Sequence, residues 1–261
     1  MALDGPLIVI FAYFLYGIEI NVELLLAAFL VVFSVYSLNR ATDKVEDSVN
    51  RPETALKNPF FYVVPSLIAL TISIGISASV SLFALLTLLV PVVVGLFYSV
   101  RLSRSMPRLK EIVGAKSLLV AFSWSFVGST LPVSLHPVAF ENVALVFAFI
   151  FVRIFVGTVL FDVLDMKGDR LSGVETIPLK LGKTRTTMLL VLLNSCLIPW
   201  LGYSLLRGLF VTYLPALLFG LLYGYVLIWS FSFNRRMRLS AELLVDGEWI
   251  PILALARIFM K

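Results

Sequence analysis

The chain has 261 residues, of which 60% are hydrophobic and only 14% charged. Soluble domains carry roughly 45–50% apolar and about 25% charged residues, and a chain of this length has no core large enough to hide the surplus. Despite the net charge of +5, that excludes an ordinary soluble enzyme, a disordered chain and a nucleic-acid-binding domain, while one cysteine (Cys196) and one histidine (His136) leave no disulfide framework and no His/Cys set for zinc, haem or an iron–sulfur cluster.

In chain order, apolar runs near the length of a bilayer-spanning helix lie at 6–20, 22–39, 59–78, 80–100, 115–134, 139–163, 186–206, 211–232 and 241–260. The first carries Asp4 and has neither a basic leader nor a small-residue cleavage pattern, so it reads as a retained helix. The last contains Asp246, Glu248 and Arg257, which leaves open whether it spans or lies in the interface. The expected architecture is therefore an all-α integral membrane bundle of about nine transmembrane helices, forming one domain over 1–261.

Most of the 21 Lys and Arg residues fall in 40–58, 101–116, 167–185 and 235–238, each following an even-numbered helix. The intervening turns, such as 132–138, are almost uncharged. By the positive-inside rule the basic loops face the cytoplasm, with the N-terminus inside and the C-terminus outside.

Acids gather on that same side. Asn39, Asp43 and Asp47 follow the second helix, and Asp162, Asp165 and Asp169 end the sixth. Spacings of three and four place each trio on one helical stripe. Four helices separate the clusters, so the two helices run in the same direction, as a duplicated four-helix unit would make them. Carboxylates this close to a membrane core are costly and usually functional, and two facing acidic stripes repel unless cations lie between them. Hard oxygen donors suit Mg²⁺, commonly shared between carboxylates and substrate phosphates. Arg101, Lys110, Lys167, Arg170 and Lys183 stand nearby to meet further phosphate charge. A charged head held through metal above an apolar bundle describes a prenyl diphosphate.

With these motifs the sequence resembles the UbiA superfamily of intramembrane prenyltransferases. The first family motif, Asn-Asp-x-x-Asp-x-x-x-Asp, corresponds to Asn39, Asp43 and Asp47, followed by Asn50-Arg51-Pro52. The second, Asp-x-x-Asp-x-x-x-Asp, corresponds to Asp162, Asp165 and Asp169 within Gly168-Asp169-Arg170, followed by Gly173, Thr176 and Leu181-Gly182. Arg40 replaces the usual second acid of the first motif, and the Tyr-x-x-x-Lys element is represented only by Tyr98 followed by Arg101 and Leu102.

The resemblance implies Mg²⁺-dependent transfer of an isoprenyl group, such as geranyl or geranylgeranyl, from its diphosphate to an aromatic or lipid acceptor. Asp43, Asp47, Asp162, Asp165 and Asp169 would hold metal, and Asn39 would sit in the metal shell or near the allylic carbon. Arg101, Lys110 and Arg170 would hold diphosphate, and Tyr98 would lie near the reacting carbon. The expected setting is the cell membrane, with the site facing the cytoplasm and the charged loop 101–116 as a lid. The rival reading is a cation-coupled transporter, whose acids more often lie near the midplane at broken helices. The alcohol phosphatidyltransferases also use clustered aspartates and magnesium, but their single Asp-Gly/Ala-Arg run is missing from this sequence. Arg153, inside the sixth helix, has two readings: a partner for an internal acid or the acceptor, or a structural hydrogen bond to a neighbouring helix.

Overall fold

The computed structural model describes residues 3–42, 58–99, 112–233 and 243–259, and among these every regular element is helical. The principal helices are α1 (Asp4–Tyr16), α2 (Val22–Thr42), α3 (Phe60–Val80), α4 (Leu82–Ser99), α5 (Ala115–Thr130), α6 (Phe140–Ser172), α7 (Ile177–Ser195), α8 (Leu197–Leu206), α9 (Leu214–Phe233) and α10 (Trp249–Phe259). Helices α7 and α8 follow one another across Cys196 and together make one apolar span. Among the described residues, six segments are long and apolar enough to cross a membrane by length and composition. Backbone polar groups in hydrocarbon must be satisfied within their own segment, which is why an apolar chain of this kind is built from helices.

Helices α2 and α3 pack side by side, with Ser34 Oγ donating to the Ser66 carbonyl at 2.9 Å and Ser73 Oγ to the Ala27 carbonyl at 2.8 Å. Small residues permit such close backbone approach where lipid offers no hydrophobic drive. Helix α6 packs on α5 and α7, α9 packs on α7 and α10, and α10 packs on α1. Helix α1 is the shared element, since its side chains enter both the α1/α2/α4/α5 core and the α1/α6/α8/α9/α10 core. At the end of α6 away from Asp162, Arg207 forks onto Glu141 through Nε and Nη2 at 3.1 and 3.2 Å, tying the end of α8 to the start of α6.

Several boundaries differ from those expected. Helix α6 runs nine residues past the expected end at 163, so the whole Asp162–Asp169 stripe is helical. The apolar run stops at Asp162 but the helix stops only at Gly173, in the left-handed conformation at φ 73°, whose N–H bonds the Asp169 carbonyl. Helix α7 begins at Ile177 rather than 186, and its opening residues are set off by a kink at Gly182, at φ 74°, ψ 166°. That conformation is essentially restricted to glycine. Helix α1 ends at Gly17, also left-handed at φ 64°, before the apolar run ends.

As a result α1, with 13 residues, and α10, with 11, fall short of a crossing. At 1.5 Å per residue they are about 20 and 17 Å long against a hydrocarbon core of about 30 Å. In the ninth segment Glu248, Trp249, Ile252 and Ala256 are buried against the bundle, while Ile250 and Ile258 face outward.

Candidate active site

Both short helices begin at one cavity of about 170 Å³: Asp4 and Gly5 of α1 and Glu248 and Trp249 at the start of α10 are in its wall. Three long helices complete it along single stripes. Helix α2 contributes Val32 and Tyr36, α5 contributes Lys116, Val120 and Trp124, and α6 contributes residues from Arg153 to Asp165.

One end of the cavity is carboxylate. Asp162 is 1% exposed, accepts a hydrogen bond from Ser117 Oγ at 2.6 Å, and lies 3.0 Å from Lys116 Nζ. The same ammonium is 3.6 Å from Asp169, which is 2% exposed. Asp165 is half-buried and lines the cavity. Counted along α6, Asp162 is about 33 Å from Phe140 at 1.5 Å per residue, near the far boundary of a 30 Å hydrocarbon layer. Lys116 was not among the residues singled out from sequence, although it belongs to the basic 101–116 stretch. Only its position in the first turn of α5, after the left-handed Gly114 at φ 74°, could have marked it.

The other end is a buried polar knot. Arg153, 1% exposed, donates through Nη1 to Asn194 Oδ1 at 3.0 Å and through Nη2 to Glu248 Oε2. Asn194 Nδ2 in turn donates to the Leu221 carbonyl at 3.0 Å. Gly224 of α9 makes room for the knot, since a Cβ there would overlap both Arg153 Nη1 and Asn194 Oδ1. Arg153 therefore has an internal acid as partner and a neighbouring-helix amide as well. Nine residues separate it from Asp162, about 13.5 Å along the helix. Between the two ends the walls are apolar and aromatic, with Tyr36 and Trp124 stacked at 5.9 Å between centroids and 19° between planes.

The other expected site residues distribute as follows. Asn39 is half-buried in the last turn of α2, on the stripe that brings Val32 and Tyr36 to the cavity. Asp43, Asp47, Arg101 and Lys110 lie outside the described residues, as does most of the loop expected to act as a lid, and Tyr98 is described only as backbone at the end of α4. Arg170 is exposed and lines a separate cleft with Glu175 and Lys180, not the Asp162 cavity. Arg40 reaches Tyr62 of α3, its Nη1 3.5 Å from the hydroxyl and its guanidinium 6.0 Å from the ring centroid. Among the described residues no three His, Cys, Asp or Glu side chains close on a single point.

The same bundle is found in solved structures. A UbiA homologue from Archaeoglobus fulgidus, bound to GPP and Mg²⁺, superposes with a TM-score of 0.76 at 16% identity, over 99% of this chain and 93% of that one. A UbiA homologue from Aeropyrum pernix K1, in its apo form, gives 0.71 at 14% identity over 100% and 98%. A structure of digeranylgeranylglyceryl phosphate synthase gives 0.62 at 17% identity over 99% and 91%. No curated protein matches the sequence significantly. The model of the UbiA prenyltransferase family matches residues 7–243, nearly the whole chain, and the protein belongs to that family.

Proposed function

We propose that the chain is a single-domain membrane prenyltransferase. It takes an isoprenyl diphosphate such as geranyl or geranylgeranyl diphosphate and passes the isoprenyl group to an aromatic or lipid acceptor. The observation that carries this reading is the α6 stripe, with Asp162 and Asp165 in the wall of a mostly apolar and aromatic cavity and Asp169 buried on the same face beyond them. Support also comes from the Archaeoglobus fulgidus homologues, which were solved with GPP or DMAPP and Mg²⁺.

The donor set fits a hard divalent cation. It is all carboxylate oxygen, and it already draws one ammonium, Lys116, to within 3.0 and 3.6 Å of two of its members. Asp162, Asp165 and Asp169 would hold Mg²⁺ together with Asp43 and Asp47 from the first motif, with Asn39 beside them. Bound there, Mg²⁺ supplies positive charge for the diphosphate oxygens.

The protein's own groups do the rest. Lys116, and Arg101, Lys110 and Arg170 from the basic segments, add charge that favours the leaving group. As the allylic C–O bond breaks, its electron pair departs with the diphosphate. The cation left behind needs protection from water and an electron-rich surface, which the stacked Tyr36 and Trp124, and Tyr98 from α4, would provide. The acceptor then forms the new bond to the allylic carbon and loses a proton. In the cell membrane, the distribution of Lys and Arg turns the carboxylate mouth to the cytoplasm.

The test is geranyl diphosphate binding and diphosphate release by the purified protein, with Mg²⁺ or EDTA, beside Asp162→Asn and Asp165→Asn. Binding that needs Mg²⁺ and falls at least tenfold in both variants is expected. Binding indifferent to EDTA and to both substitutions would remove the metal–diphosphate reading.

A further inference from the structure

The carboxylate mouth accounts for one end of the cavity and leaves the polar knot at the other end without a task. A guanidinium at this depth is costly, and an isoprenyl tail gives it nothing to bond. Two of its three nitrogens are engaged, Nη1 by Asn194 and Nη2 by Glu248. Its Nε is buried and has no hydrogen-bond partner among the described residues. An unmet N–H in a low-dielectric wall is a standing penalty that a ligand oxygen would remove. Arg153 and Glu248 both line the cavity, so such an oxygen has a place to come from.

Resting on the prenyl-transfer reading, we propose that the Arg153–Glu248–Asn194 knot is the acceptor-binding end of the site, and that it selects an acceptor presenting an uncharged hydroxyl or carbonyl oxygen. The Nε–H donates to that oxygen. The selection follows from charge. Glu248 already neutralises Arg153, so an anionic acceptor group would enter as an unmatched negative charge. Asn194 and the Cβ-free Gly224 hold the guanidinium from behind. The oxygen held there anchors the acceptor and is not its nucleophile, so the reacting atom lies back along the aromatic walls, toward the allylic carbon at the donor end.

The experiment is calorimetric titration of the full chain in lipid nanodiscs containing Mg²⁺, using 1-naphthol and 1-naphthoate as uncharged and anionic probes. A thiolo analogue of geranyl diphosphate reports the donor end separately. The wild type is expected to bind naphthol at least tenfold more tightly than naphthoate. Arg153→Lys, which keeps the charge but loses the Nε–H, should weaken naphthol about tenfold and leave the donor analogue within twofold. Glu248→Gln leaves Arg153 uncompensated and should reverse the preference in favour of naphthoate, a gain that a misfolded or merely loosened variant cannot produce.

The proposal is overturned if naphthol fails to bind the wild type, if the preference survives Glu248→Gln, or if the donor analogue is lost in step with naphthol. Absence of Mg²⁺-dependent binding of the donor analogue, with the naphthol pattern intact, would instead remove the prenyl-transfer reading and leave the oxygen-binding knot standing.

Discussion

Lys116 Nζ lies 3.0 Å from Asp162 and 3.6 Å from Asp169, two of the carboxylates that would hold a divalent cation. Replacing it with Met leaves two buried carboxylates facing each other without that ammonium. The metal-free protein should lose about 1–3 kcal/mol, the range for a charge-assisted bond to a buried group. Added Mg²⁺ should recover most of the loss, because it binds the folded state. Thermal unfolding with EDTA and with Mg²⁺ measures both terms, and an equal loss in the two conditions would show that Lys116 does not compete with metal. The Arg153–Glu248 pair behaves differently, because both partners are buried. Glu248→Ala strands a guanidinium and should cost about 3–5 kcal/mol, whereas the double change Arg153→Met with Glu248→Leu should be close to neutral for stability. Comparable losses in the single and double variants would contradict that assignment. Neither pairing was legible beforehand. Arg153 and Glu248 are 95 residues apart, and the partner of Lys116 is decided by how α5 rotates against α6. By contrast, the Asp162–Asp165–Asp169 stripe was readable, because helical spacing alone fixes a shared face.

Among the helices, what could be read was the apolar run, and what could not was where its backbone stops. Composition carries α6 only to 163, yet its hydrogen bonding continues to Ser172 and is ended by a left-handed glycine. Composition carries α1 to 20, yet Gly17 ends it at Tyr16. Interhelical distance was equally hidden. At Gly128 the α1–α5 contact is so close that a Cβ would overlap Ile8 Cγ2 and come within 3.2 Å of Ile150 Cδ1. Gly128→Val should therefore destabilise by about 1–3 kcal/mol through overpacking. Adding Ile8→Ala should return part of that loss, and the coupling in a double-mutant cycle is the quantity to measure. Strict additivity would mean that the two helices part freely at this point.

For the whole molecule, the all-helical membrane architecture was accessible from the sequence, and the distribution of Lys and Arg predicts a sidedness for it. Bilayer thickness sets the length of the apolar runs, and basic loops betray which end of each is inside. That sidedness has a direct test. In a Cys196→Ser background, His136→Cys and Glu175→Cys place thiols at exposed positions beyond opposite ends of α6. A membrane-impermeant maleimide added to intact cells should label position 136, and label 175 only in inverted vesicles. Labelling of both from one side would undo the assigned orientation. The cavity, however, could not be foreseen, because its walls are drawn from helices far apart in the chain whose mutual packing the sequence does not fix.

Helix α6 carries both polar ends of that cavity, Asp162 and Arg153, on one uninterrupted rod with no proline between them. The separation of these two ends behaves as a fixed caliper of about 13.5 Å, set by helical rise and insensitive to how neighbouring helices breathe. Under the proposed function a longer isoprenyl donor would not widen this gauge, and its extra carbons would have to leave sideways between helices, so tolerance for chain length would be set by the lateral seams and the surrounding lipid rather than by the depth of the pocket.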